Sequence, residues 1–80
     1  AVSPDGRWLV TADLGVNRVT VYRRESSGAL TAVGFTTVGV APRAVAFDST
    51  GLFVAVTTFF ADELEVFAFA PTTGALTPFA

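Results

Sequence analysis

The 80-residue chain contains no cysteine, no histidine, no lysine and no methionine. Without cysteine it can form neither a disulfide framework nor a thiolate zinc site. Without histidine it lacks the commonest general base and the commonest metal-ligating ring, so neither a metal nor a cofactor is expected. Charge is sparse: five arginines against seven acids give a net charge of −2, which leaves no basic footprint for nucleic acid. No apolar run approaches the ~20 residues of a membrane span. Residues 1–10 carry no basic segment followed by an apolar one, the mark of a secretory leader. Helix signals are missing too, since no window pairs a sustained 3.6-residue period with end caps.

A chain that lacks methionine and starts at Ala1 is expected to be a processed piece or part of something larger. The Cys-free, Thr-rich composition slightly favours an extracellular or cell-envelope setting over the cytoplasm. Disorder is excluded, because 51% of the residues are hydrophobic and net charge is low.

What the chain does contain is a repeat. Offset by 45 residues, "AFDSTGLFVAV" falls on "AVSPDGRWLVT", so that Gly6 meets Gly51, Trp8 meets Phe53, Leu9 meets Val54, Val21 meets Val66 and Tyr22 meets Phe67. One extra residue around Pro71–Thr73 moves the offset to 46, and Gly28–Thr31 then meets the identical Gly74–Thr77. Each unit reads as short strands separated by turns rich in Gly, Pro, Asp, Ser and Thr. In "ELEVFAFA", Leu64, Val66, Ala68 and Ala70 share one face, while Glu65, Phe67 and Phe69 share the other. "FVAV" is apolar on both faces, which suits a sheet stacked on both sides.

An all-β fold of four-stranded antiparallel meanders follows, with about two propeller blades present; a single antiparallel sandwich is the alternative. The first blade spans residues 1–38, with most of its innermost strand missing, and the second spans 39–80. Two blades do not close a ring of about 4–8. Their outer faces would expose Val, Leu and Phe as an adhesive patch, so completion by further blades or by identical chains is expected.

The segment "SPDGRWLVTADLGVNRVTVYRRESSGALT" and the junction "VGVAPRAVAF" resemble the lactonase family of seven-bladed β-propellers, which includes 6-phosphogluconolactonase-type proteins. The resemblance covers nearly the whole chain. Surface-layer propeller repeats of cell-envelope proteins share "VGVAPRAVAFDSTG" and are the second resemblance. The second unit departs from the pattern: Thr58–Glu63 replaces the Asp13–Arg18 loop, and Ala44 stands where the family often has His after Pro-Arg.

In a blade, the second-to-third strand connection and the crossover to the next blade share one rim. Arg43 and the Asp13–Arg18 loop therefore lie together, with SPDG and both GALT turns at the opposite end. By resemblance, the first rim is where substrate sits. Arg43, with its planar fork, is the candidate clamp for a carboxylate or phosphate of a sugar-acid lactone. Asp13, Asn17 and Arg18 are the further candidate substrate contacts, with Asp13 orienting a water or that arginine. Against this stand two structural roles: Asp13 capping its own turn, and Arg43 pairing with a neighbouring carboxylate.

No catalytic residue is assigned firmly. The chain reads mainly as a structural or binding module of a lactonase-like propeller, assembled into a ring or fibre if identical chains complete it. The alternative is a fragment of an enzyme that hydrolyses a sugar-acid lactone such as 6-phosphogluconolactone. Phe59–Phe60 is expected in a rim loop, Arg7 and Arg23–Arg24 as edge charges that blunt strand pairing, and Leu30 and Leu76 as anchors of the outer strands.

Overall fold

The computed structural model describes residues 1–39, 41–58 and 64–79. Phe59 and Phe60, expected in a rim loop, lie outside the described residues. Within them the fold is all-β. The first sheet runs β1 (Trp8–Asp13), β2 (Arg18–Arg24) and β3 (Leu30–Thr37) side by side in chain order, all antiparallel. Val2 bridges to Leu9, and Ala1 and Val10 exchange backbone hydrogen bonds. Ala1–Val2 therefore occupies the place of an innermost strand beside β1. The second sheet is the meander β4 (Pro42–Phe47), β5 (Phe53–Thr58), β6 (Leu64–Ala70) and β7 (Ala75–Pro78). These are propeller blades. Among the described residues there is no α-helix, and a single 3₁₀ turn, Leu14–Val16, forms the tip of the β1–β2 hairpin.

Strand register decides which side chains meet between the sheets. Val10 pairs with Val21 and Ala12 with Val19 in the first sheet; Val54 pairs with Phe67 in the second. Trp8, Val10, Val19 and Val21 thus point across to Val54, Val56, Phe67 and Phe69, and all eight are buried in one cluster. β-branched valines suit this site because their stiff χ1 packs well on a pleated surface. Each contributes about 1.5–3 kcal/mol on full burial.

Trp8 ties the joint together at one end. Its ring meets Phe69 edge-on at 5.6 Å, and its Nε1 donates to the Pro71 carbonyl oxygen at 3.1 Å. It also lies against Gly74, where a β-carbon would come within 2.6 Å of Trp8 Cζ3. Gly74 has φ +79°, so two constraints select glycine: a left-handed backbone and contact with a ring.

The turns that begin the two second strands are chemically equivalent but reversed. In the first, the Ser3 hydroxyl donates to Asp5 Oδ1 at 2.6 Å; in the second, the Thr50 hydroxyl donates to Asp48 Oδ2 at 2.7 Å. The hydroxyl and carboxylate have exchanged positions across the repeat, and the bond survives. Backbone bonds repeat as well: Gly6 N–H donates to Ser3 O, and Gly51 N–H to Asp48 O. Ser3 and Thr50 hold the Asp5 and Asp48 carboxyls below the usual aspartate range, aided by donation from nearby backbone N–H groups.

Two expectations fail. Leu76 packs against the core cluster as an anchor, but Leu30 is 50% exposed. Leu30 lies opposite Arg24 on the face of the first sheet that turns away from the second, so no described residue covers it. Arg23 and Arg24 are not edge charges either. They end β2, the central strand, paired to β3 on one side, with Arg23 also opposite Trp8 of β1. Arg23 is occupied by an ion pair with Glu25 at 2.8 Å.

Two outcomes follow. Carboxyls held low stabilise the fold above their unfolded pKa and lose that contribution as pH falls through the folded value. The thermal midpoint should therefore drop below about pH 4, and Asp5→Asn or Asp48→Asn should each flatten the decline. In urea unfolding, Gly28→Ala should cost only the left-handed strain of about 1–2 kcal/mol, because nothing lies within 4 Å of its β-carbon position. Gly74→Ala adds the clash with Trp8 and should cost a further 1–3 kcal/mol, roughly.

Candidate rim site

The rim is built around Asn17. It follows the 3₁₀ turn in the left-handed region, at φ +54°, a conformation asparagine tolerates better than most residues. Its backbone oxygen accepts from Val38 N–H at 2.9 Å, and its side-chain Oδ1 accepts from Ala41 N–H at 2.9 Å. Both donors belong to the crossover between the sheets. Ala41 is itself left-handed, at φ +56°, and buried. Asn17 thus latches a strained crossover in place.

Arg43 emerges two residues after Ala41. The β4–β5 ladder is irregular between Pro42 and Ala44, which leaves Arg43 at a bulge, and the side chain is exposed. Bulges re-aim a side chain relative to its strand. Arg43 also makes an interaction of its own.

Asp13 and Arg18 come together on a different surface. They end β1 and begin β2 as a directly opposed pair, with Arg18 Nε 3.4 Å from Asp13 Oδ2. Asp13 also accepts from the hydroxyls of Thr11, at 3.2 Å, and Thr20. The Arg18 guanidinium lies over the Phe35 ring, 4.5 Å from its centroid, a cation–π arrangement. Asp13, Arg18, Thr20 and Phe35, together with Tyr22, line an open cleft of about 510 Å³ on the face away from the second sheet. Asp13 makes no side-chain cap to its turn, so the capping role is corrected. As the last residue of β1 it shares a face with Thr11, and the hairpin register brings Thr20 and Arg18 to it.

The four candidates therefore divide. Asn17 and Arg43 flank the crossover on the rim; Asp13 and Arg18 are bound to each other on the first sheet's open face. Reading the sequence missed Thr11, Thr20 and Phe35, although strand alternation across the Asp13–Arg18 hairpin would have located both threonines. It also missed Glu65, which faces the joint between the sheets and accepts from Gly39 N–H at 3.4 Å, and Thr58, whose buried hydroxyl has no hydrogen-bond partner among the described residues.

Comparison with known proteins bears on these positions. The family described as "Lactonase, 7-bladed beta-propeller" matches residues 1–80. No curated protein sequence matches. Among solved structures, the periplasmic gluconolactonase of Pseudomonas aeruginosa is similar, at 34% identity and a TM-score of 0.90 over 96% of this chain. A candidate 6-phosphogluconolactonase of Bacteroides fragilis aligns over 98% of this chain, at 28% identity and a TM-score of 0.91. A protein of unknown function from Desulfotomaculum acetoxidans shares the fold, with a TM-score of 0.88 over 100% of this chain at 22% identity. The chain spans 22% of the first two structures and 25% of the third.

The latch makes a distinct claim about Asn17. Asn17→Ala removes the acceptor of a buried N–H and places a β-branched-free but non-glycine residue at positive φ, so it should cost about 2–4 kcal/mol. Asn17→Gly loses the bond without the strain and should cost less. Amide exchange at Ala41 should accelerate in both variants, and unchanged protection there would remove the latch from the account.

Proposed function

Because the chain belongs to the lactonase family of seven-bladed β-propellers, we propose that it acts as a structural and binding module within such a propeller, completed by further blades. In this reading the segment's chemical contribution is Arg43, presented to an anionic sugar-acid lactone. The bulge at Arg43, two residues beyond the crossover that Asn17 latches, is the observation that carries it. An arginine held at a fixed exit point keeps its fork pre-aligned for a carboxylate or phosphate, so less order has to be imposed on binding. Asp13 has a structural role in this reading, because Arg18, Thr11 and Thr20 hold its carboxylate.

A second reading is that the segment is part of a lactone hydrolase, with its acid and base groups on other blades. The names of the Pseudomonas and Bacteroides relatives favour it. A lactone-hydrolysis assay on a propeller carrying this segment tests both. Arg43→Ala should raise KM by about 10–100-fold, the loss of one charged hydrogen bond, with kcat little changed. Asp13→Ala should lower thermal stability and leave kcat/KM near wild type. Hydrolysis with an unaltered KM in Arg43→Ala would sink the role given to that arginine, and an inactive propeller with intact lactone binding would leave only the module reading.

A further inference from the structure

Two arginines face each other at the end of the first sheet without a counter-charge. Arg24 N–H donates to Arg7 O at 2.9 Å, which carries the β1–β2 register one step past the Trp8–Arg23 pair. Arg7 and Arg24 are therefore opposed, on the face that turns away from the second sheet. Both are exposed, and among the described residues neither forms an ion pair. The nearby acids are engaged by other donors. Glu25 accepts from Arg23 Nε at 2.8 Å, and Asp5 Oδ1 accepts from the Ser3 hydroxyl and from Arg7 N–H. The Arg7 charge helps to hold the Asp5 carboxyl low, but less than those two hydrogen bonds do. Like charges directly opposed across an antiparallel pair are destabilising.

The fold does not demand this pair. The 45-residue offset puts Leu52 and Phe69 at the same positions of the second unit, so the first unit carries two charges where its repeat carries two apolar side chains. Around the arginines lies an open cleft of about 500 Å³, lined also by Glu25, Ser26, Ser27 and Gly28. Arg24 Nη2 is 3.7 Å from the β-carbon position of Gly6, so its fork rests beside the SPDG turn. On the other side, the β2–β3 turn closes through Glu25, Ser27, Gly28 and Ala29. The Ser26 and Ser27 N–H groups take no part in that closure among the described residues. The Ser27 hydroxyl oxygen accepts from Ala29 N–H at 3.4 Å and keeps its own proton to donate. This end of a joint also stays open when a sheet is covered. The first sheet packs on the second, yet Leu52, the counterpart of Arg7, keeps 47% exposure. A gap of about 100 Å³ remains there, between Pro4 and Asp5 of one turn and Thr50 and Gly51 of the other.

We propose that Arg7 and Arg24 hold a phosphate group at this rim, at the opposite end of the blades from Arg43. Each guanidinium offers a planar fork that matches two oxygens of an oxyanion, and the Ser26–Ser27 turn adds neutral donors from hydroxyl and backbone. A phosphate group carries about two negative charges and three strong acceptor oxygens. It therefore balances both arginines at once and removes their mutual repulsion, which a single carboxylate would do only by half. The cleft has room beyond the ion itself, so the group is either free phosphate or the head of an organic phosphate monoester. This site goes beyond the lactone reading and does not depend on Arg43 or on any lactone.

Titration calorimetry and thermal melting on a propeller carrying this segment test the site. The propeller carries Arg43→Ala, so that the other proposed anion clamp is silent. Inorganic phosphate should bind saturably and raise the melting midpoint above that in chloride at the same ionic strength. Arg7→Leu and Arg24→Phe write the second unit's residues into the first. Each should weaken phosphate by about 10–100-fold, the loss of a charged hydrogen bond, and the double variant should show no phosphate-dependent rise in midpoint. In chloride, both single variants should melt no lower than the parent, because the opposed charges are gone. Glycerol phosphate separates the two sources: affinity equal to that of inorganic phosphate assigns the site to the free ion, and tighter binding assigns it to an organic monoester. Absence of saturable binding would overturn the proposal, as would binding that survives both substitutions. Midpoints that fall equally in chloride and in phosphate would overturn it too, because the arginines would then serve the fold and not an anion.

Discussion

The structure depends on one contact, the Trp8 ring lying on the Gly74 turn. A blade is a twisted sheet that cannot bury both of its faces alone, and its stability comes from the sheet beside it. Here Val10, Val19, Val21, Val54 and Val56 are buried in the joint, yet valine on valine alone does not fix how the sheets are aligned. The indole removes that freedom. Its edge meets Phe69, its Nε1 reaches the Pro71 oxygen, and its face is admitted only because position 74 has no side chain. The joint is set by a hydrogen bond and a steric fit at one rim, and by the Asn17 latch on the crossover at the other.

That division explains the arrangement of polar groups. The rim with SPDG and GALT uses its polar atoms to close turns, and the swapped Ser3–Asp5 and Asp48–Thr50 pairs show that the repeat keeps the bond and lets the residues change. The other rim uses its polar atoms to hold chain segments together: Asn17 on Ala41 and Glu65 on Gly39. Arg43 stands at the irregularity in the β4–β5 ladder, two residues beyond the latched Ala41.

Much of the fold was legible beforehand because its signals are local. Alternation in "ELEVFAFA" correctly separated Phe67 and Phe69 from Val66 and Ala68, and the glycine turns gave the hairpins. The extra residue near Pro71–Thr73 appears where the repeat put it: six residues separate the paired Phe69 and Leu76, five the paired Arg24 and Leu30. What was not legible depends on partners. Leu30 and Leu76 share the Gly-Ala-Leu-Thr context, and only the stacked sheet distinguishes the half-buried one from the exposed one. The Asp13 carboxylate could not be assigned from its own turn, because its partners Thr20 and Arg18 arrive through hairpin register and not through sequence proximity. Arg23 and Arg24 looked like edge charges because charge suggests exposure, while strand order within the sheet is a separate fact.

The central claim is that the two sheets form one stacked pair through Trp8 and Gly74. Nuclear Overhauser contacts between the Trp8 ring protons and the Gly74 α-protons test it most directly. The account requires those contacts, a ring-current shift of the Gly74 α-protons away from random-coil values, and joint loss of amide protection in both sheets when Trp8 is replaced by alanine. Random-coil shifts at Gly74, with the two sheets exchanging independently of each other, would contradict it.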